Sequence, residues 1–429
     1  MEYLISPCSQ LLTLTGPAAP RKGKEQTELG VIEDGAVWVV NGRVQMAGPR
    51  SQVERSAGTR DISKISADGC VVMPGFVDCH SHPLFMESRI RDFEQRIKGR
   101  SYREISSGGG GILSTVRKVR AATQEELIQK ALPRLWAFLR HGTTTLEAKS
   151  GYGLNLESEL KMLEAIRKLK ELTPLELVPT FLGAHEIPPE YFDAPSAYLE
   201  ELLHTILPEV ARRNLAEYCD AFVEPHIFDI AAAEALFQAA RKHGLKLRLH
   251  ADQLSRSGAT RLGIRLGAIS IDHLEQIEEE EIELLSRSSA IAVLLPGSVY
   301  HLGLDRYPPA RRLIEAGVPV ALATDFNPGS SPVLNMQMIL SLACTQMRMT
   351  PAEAVVAATI NGAYALDRGD RCGSLEAGKQ ADLCIMDVPD YREIPYFFGV
   401  NHCRAVFKGG RPIYPGNTSV ENADPISRI

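Results

Sequence analysis

The chain has no apolar run long enough to cross a bilayer, which takes about 20 residues. It has no basic stripe either: 47 Lys and Arg stand against 53 Asp and Glu, a formal charge of -6. That balance speaks against nucleic acid or an anionic membrane as the main partner. Its eight cysteines, at 8, 70, 79, 219, 344, 372, 384 and 403, include no CxxC pair. In a chain of this length such scatter points to reduced, buried thiols in a cytoplasmic setting, not to a disulfide frame. No basic segment precedes the first apolar stretch, where Glu2 stands in place of Lys or Arg, so a signal peptide is not expected. Internal repeats and low-complexity tracts are missing too. An apolar content of 44% excludes wholesale disorder, and the scattered glycines exclude a collagen-like chain.

What is present is a soluble-type chain of 429 residues, enough for roughly two to three domains. Residues 28–48 alternate apolar segments with Gly and Asn-Gly, a pattern of short strands and tight turns. The same texture returns in GSLEAGKQADLCIMD (373–387) and CRAVFKGGRPIY (403–414). Between these ends, short apolar strands alternate with amphipathic stretches. Strands are expected at 71–78, 143–147, 176–185, 220–224, 246–252, 270–275, 290–296 and 318–326. Helical spacing is clear in LESELKMLEAIRKLKEL (156–172) and in AAAEALFQAARKHG (231–244), which a glycine closes. Eight βα units in one run predict a (β/α)8 TIM-type barrel over residues 70–366. Residues 1–69 and 367–429, neither with enough core alone, are expected to meet as one small composite β-sandwich domain.

Most of these strands end in a polar residue that a sealed core would reject: His80 and His82, His185, Glu224, His250, His273 and Asp325. In a (β/α)8 barrel the carboxyl ends of the strands converge on one mouth. A lone histidine there is more often a packing residue than a ligand. His80 and His82, two apart on extended chain, point the same way and can share a metal ion. With His250 and Asp325 they make three imidazoles and one carboxylate, a set suited to Zn or Fe(II) over Mg or Ca. Glu224 is expected to be a buried acid beside cationic groups rather than the ligand of a second metal, and no Lys ends the fourth strand to bridge two ions. Gly108 to Gly111 lack the Gly-Lys-Ser/Thr ending and the preceding strand of a phosphate loop.

The first-strand string PGFVDCHSH (74–82) and the split β-rich ends resemble the amidohydrolase superfamily over the whole chain. Within it, five strings in order resemble the imidazolonepropionase family. They are SYREISSGGGGILSTVRKVR (101–120), GTTTLEAKSGYGLNLESELKML (142–163), TFLGAHEIPPEY (180–191), LHADQLSRSGA (249–259) and the long run from ATDFNPGSSP (323–361). The resemblance implies metal ligands at His80, His82, His250 and Asp325, with one Zn or Fe ion per chain. It implies substrate contacts at Arg89, Tyr152, His185, Gln253, His273, Asn327, Gly329 and Ser330. Three departures stand out: PLFMES at 83–88 where the family usually has a glycine pair, Ser330 where Thr is common, and Gln253 where some members carry Glu.

The implied reaction is hydrolysis of the ring C–N amide bond of 4-imidazolone-5-propanoate to N-formimidoyl-L-glutamate, in histidine degradation. Catalytic roles then fall on Asp325 for proton transfer and His273 for the oxyanion, with Gln253 near the ring. The expected partner is a small-molecule substrate, with no nucleic acid and no membrane, and a homodimer by family resemblance alone. The alternatives are a related cyclic amidohydrolase, a deaminase of the same superfamily, or a barrel that has become a non-catalytic scaffold.

Overall fold

A computed structural model describes residues 2–58, 62–100, 104–105 and 108–415. Of the strings above, Ser101, Tyr102, Arg103, Ser106 and Ser107 lie outside the described residues, as do 416–429 of the last segment. The strands, in chain order, begin with β1 (Glu2–Leu12), β2 (Val31–Val40), β3 (Arg43–Pro49) and β4 (Ser63–Pro74). Eight follow through the middle: β5 (Phe76–Asp78), β6 (Thr143–Lys149), β7 (Glu176–Ala184), β8 (Tyr218–Val223), β9 (Lys246–Ala251), β10 (Ser270–His273), β11 (Ile291–Leu294) and β12 (Val320–Leu322). The chain ends with β13 (Leu383–Met386), β14 (Cys403–Lys408) and β15 (Arg411–Tyr414).

The middle strands form one parallel eight-stranded sheet in sequential order, β5 through β12. Its two ends meet. Asp78 accepts from the Thr324 amide at 3.0 Å and from its hydroxyl at 2.5 Å, and the Asp325 amide donates to the His80 carbonyl at 3.0 Å. The His82 amide donates to the Phe326 carbonyl at 2.8 Å, with a parallel bridge between Ser81 and Phe326. The expected barrel is therefore present, and these seam bonds fasten the segment of His80 and His82 to that of Asp325.

Both β-rich ends come together, as expected, in one mixed sheet of seven strands, ordered β15-β14-β13-β4-β1-β2-β3. The β2–β3 hairpin turns on Asn41 (φ 51) and Gly42 (φ 81), the left-handed pair that a two-residue hairpin demands. One expected strand divides. Residues 71–74 belong to β4 of the end sheet and 76–78 to the barrel, and Gly75 turns the chain between them. A side chain at Gly75 would overlap Thr144, so the crossing is possible only at glycine.

Helices cover the outside of the barrel. Leu156–Leu172 is capped by the Asn155 side chain at the Ser158 amide, and Ile230–Lys242 by Asp229 at the Ala232 amide. Their buried stripes, such as Leu163, Ile166 and Leu169, pack in the apolar layer between helices and strands. Inside the barrel a second apolar cluster, including Val77, Val178, Tyr218 and Val293, fills the lower layer. A side chain pointing inward must therefore either join that plug or stand above it at the mouth. Among the described residues no helix is long and apolar enough to cross a membrane.

Candidate metal centre

Directly above the apolar plug lies a layer of charge. Lys149, at the end of β6, is 2.6 Å from Asp220 on β8 and 2.9 Å from Glu147 on its own strand. Arg248 on β9 reaches Glu147 at 3.2 Å and Asp272 on β10 at 3.3 Å. All five side chains are fully buried. Buried ions persist only when paired and hydrogen-bonded, and here two cations hold three carboxylates in fixed positions. Arg248 also donates to the carbonyls of Cys79 (2.5 Å) and Ala365 (2.8 Å). Burial pulls Lys149 towards its neutral form, but Asp220 and Glu147 outweigh it and hold the ammonium.

The carboxylates of this layer orient histidines above them. His80 Nδ1 lies 2.7 Å from Asp272, and His250 Nδ1 lies 3.1 Å from Asp220. Ionised carboxylates only accept, so each Nδ1 carries the proton and each Nε2 presents a lone pair. Those two Nε2 atoms are 3.1 Å apart. Two lone pairs at that separation repel unless a cation lies between them, which is the strongest sign that the residues fit a metal ion. Asp325 Oδ1 is 3.6 Å from His80 Nε2 and 3.5 Å from His82 Nε2. The ligand atoms of His80, His82 and His250 lie within 4.8 Å of one another, and so do those of His80, His273 and Asp325. The arrangement fits a metal ion, with carboxylates behind two of the imidazoles.

Protonation tendencies agree with that use. Burial, then the Lys149 charge and the neighbouring histidines, holds His80 well below its usual range. Burial brings His82 down to about 4 in spite of Asp325. Neutral imidazoles are what a metal requires. His273 moves the other way. Burial opposes its charge, but Glu275, 3.3 Å from Nδ1, and Asp325 outweigh it and raise its pKa. Asp325 stays below the usual carboxylate range because the surrounding histidines outweigh its burial. Several of these positions are held in left-handed backbone: His273 (φ 84), Leu274 (φ 73) and Asp325 (φ 51). Each costs about 1–3 kcal/mol that the rest of the fold must offset.

A cavity of about 380 Å³ opens over the centre, lined by His82, His185, His250, His273 and Asp325 and by the proposed substrate contacts. The His185 ring stacks on His82 (5.4 Å, 21°), and its Nδ1 donates to the Gly151 carbonyl at 2.9 Å, which leaves Nε2 as an acceptor. Tyr152 is fully buried, 5.3 Å from His185, and Gln253 lines the wall just beyond β9. Arg89 enters from the far side, its amide donating to the Pro328 carbonyl at 3.2 Å. Asn327, Gly329 and Ser330 form a self-bonded turn. Asn327 Oδ1 accepts from the amides of Gly329 and Ser330 at 2.8 Å each, and its Nδ2 donates to Ser330 Oγ at 2.8 Å. The Ser330 hydroxyl accepts there, so its own proton is left to donate.

Two features differ from expectation. Among the described residues Glu224 forms no ion pair with a cationic side chain. It accepts from the Leu254 amide (2.8 Å), the Ser255 amide (3.3 Å) and the Ser255 hydroxyl (2.5 Å), and so pins the loop that carries Gln253. The charged layer of Glu147, Lys149, Asp220, Arg248 and Asp272 was not foreseen. Its signal was available: Glu147 and Lys149, and Arg248 and His250, are chargeable pairs two residues apart, alternating with Ala and Leu, in expected barrel strands.

Comparison with known proteins agrees with this architecture. The amidohydrolase family model matches residues 71–413. An imidazolonepropionase from Solibacter usitatus is 50% identical over 408 residues, covering 95% of this chain and 97% of that protein. Another, from Geobacillus kaustophilus, is 45% identical over 407 residues, covering 94% and 96%. Among solved structures, an adenosine deaminase from Xanthomonas campestris with bound zinc has a TM-score of 0.67 at 21% identity, covering 96% and 92%. At that identity the likeness is one of fold.

Proposed function

The chain belongs to the imidazolonepropionases of the amidohydrolase family, and from that membership we propose that it opens 4-imidazolone-5-propanoate to N-formimidoyl-L-glutamate. It is a metal-dependent hydrolase of C–N bonds in cyclic amides. We further propose one ion per chain, Zn or Fe, on His80, His82, His250 and Asp325. The observation that carries this is the facing pair of Nε2 atoms 3.1 Å apart, each fixed by a carboxylate behind it. When bound, such an ion polarises a carbonyl and lowers the pKa of water.

The chain's own groups supply the rest. Asp325, ionised within its ring of histidines, takes one proton from the attacking water and delivers it to the departing ring nitrogen. The ring C–N bond breaks as the carbonyl carbon gains the water oxygen, giving a carboxylate and a formimidoyl nitrogen. His273, whose charged form Glu275 and Asp325 favour against burial, stabilises the oxyanion. His185 Nε2 and Gln253 address the ring, and Arg89 and Tyr152 take the propanoate. Asn327 shapes the turn from which Gly329 and the Ser330 hydroxyl meet the opened product.

The same proposal divides the chain at 1–69, 70–366 and 367–429. A cytoplasmic setting is supported by eight free cysteines, seven of them buried. A homodimer is supported by exposed Tyr396 (74%) and Phe398 (69%) on one segment. The test is direct. Purified, metal-analysed protein is mixed with freshly generated imidazolonepropanoate, following loss of ring absorbance and appearance of formimidoylglutamate. No turnover by fully metallated protein overturns the assignment.

A further inference from the structure

Three arginines, Arg89, Arg96 and Arg100, line the cavity, and among the described residues neither Arg89 nor Arg96 forms an ion pair with a carboxylate. Arg89 caps the helix Ile90–Ile97, and Arg96 stands near the end of the same helix. Both line the cavity, and both converge on Gly329. Arg96 Nη1 donates to the Gly329 carbonyl at 3.4 Å, while the bare Cα of Gly329 faces the Arg89 guanidinium, which a Cβ there would overlap. Arg89 Nε and Arg96 Nη2 are buried with no hydrogen-bond partner among the described residues. The nearby acid, Asp92, favours the Arg96 charge electrostatically, but its hydrogen bond goes to the Gly111 amide at 2.9 Å and it makes no ion pair with either arginine among the described residues. The helix is held over the mouth by the stack of Phe93 on His301, 5.1 Å between centroids at 11°.

Like charges side by side with orphaned N–H groups are unfavourable by themselves. Burial and the Arg89 charge push Arg96 towards its neutral form, in keeping with that conflict. An anion between the two guanidiniums resolves both defects at once, because a planar fork matches a carboxylate. We propose that Arg96 is a second carboxylate-binding residue, closing with Arg89 on the propanoate of the substrate. This rests on the imidazolonepropanoate assignment. It makes recognition of the chain's acidic end a two-cation clamp whose geometry Gly329 sets.

The test compares wild type, Arg96→Gln and Arg96→Lys on imidazolonepropanoate and on 4-methylimidazolone, which keeps the ring and lacks the carboxylate. The Gln variant is expected to raise KM for the anionic substrate roughly ten- to hundredfold with a smaller change in kcat, since the contact exists in ground and transition states alike. The preference for the anionic over the neutral substrate should fall by the same factor, and Lys should restore part of it. Equal losses on both substrates would mean that Arg96 only holds the Gly329 turn, and that result overturns the proposal, as does a Gln variant equal to wild type. Titration calorimetry with unreactive imidazole-4-propanoate repeats the comparison without turnover. Weakened binding by the Gln variant beside an inactive wild type would sink the assigned reaction and keep the clamp. Unchanged binding removes the clamp.

Discussion

At Gly329 one missing side chain leaves room for a guanidinium at the cavity wall. The Arg89 guanidinium occupies the space where a Cβ would project, so Gly329→Ala must displace it. The obstacle is the end of a flexible side chain, so the fold should tolerate the change, with stability within about 1 kcal/mol of wild type. Binding should not tolerate it. We expect KM for imidazolonepropanoate to rise about tenfold or more, with kcat less affected, measured by steady-state kinetics beside a denaturant melt. Residues of this kind differ in how openly the sequence declares them. His80, His82, His250 and Asp325 were legible because histidines and an acid at the ends of apolar strands have little other reason to be there. Arg96 was not, because an arginine on a short, exposed amphipathic helix is ordinary until its unpaired nitrogen is seen. Asn327 was legible as part of the site, but its side chain proves to be spent inside the turn.

The strands carry more of the chemistry than their terminal residues do. β6, β8, β9 and β10 each contribute a charge to the buried layer, and β8 and β10 supply the carboxylates behind His250 and His80. Asp220→Asn keeps the shape and removes the charge that holds the His250 tautomer. Metal affinity should fall about 10–100-fold, read by competition with a chelator and not by activity alone. Lys149→Met leaves Asp220 and Glu147 buried without their ammonium, and should lower unfolding free energy by about 3–5 kcal/mol in a urea melt. Loss of metal affinity without loss of stability in Lys149→Met would show that the lysine only tunes the ligand. All eight barrel strands were readable from apolar runs at regular spacing. The split at Gly75 was not, since VVMPGFVD reads as one unbroken strand and only the three-dimensional crossing at Thr144 divides it. The charged layer stayed hidden for a related reason. Lys149 and Asp220 are 71 residues apart in sequence, and His80 and Asp272 are 192 apart, so no local pattern reports their pairing.

At the scale of the whole molecule we expect one cooperative body, because the end sheet and the barrel share a chain crossing, an apolar core and ion pairs. β4 leads through Gly75 into β5, and β13 pairs antiparallel with β4 from Val71 to Pro74. Val71, Met73, Cys384 and Met386 lie in the same apolar cluster as the barrel helices. The returning chain is tied to the barrel at one residue in particular. Arg368 donates to Glu176 at the start of β7 (2.8 Å) and to Glu217 just before β8 (2.7 Å to both oxygens). Its side chain is 10% exposed, against 20% and 34% for those acids. Arg368→Met keeps the bulk and removes the shared partner of two acids at the barrel's closed end, leaving Arg371 (3.1 Å) and Lys408 (3.4 Å) paired with Glu176 and the Lys170 charge near both acids. We expect a loss of about 2–3 kcal/mol in urea unfolding, the scale of hydrogen bonds to charged groups. The site lies at the opposite mouth, so KM and chelator-competed metal affinity should stay close to wild type. If the two regions were independent bodies, the variant would split the unfolding curve into two transitions. A single transition displaced to lower urea, with its slope unchanged, is the outcome that fits one shared core.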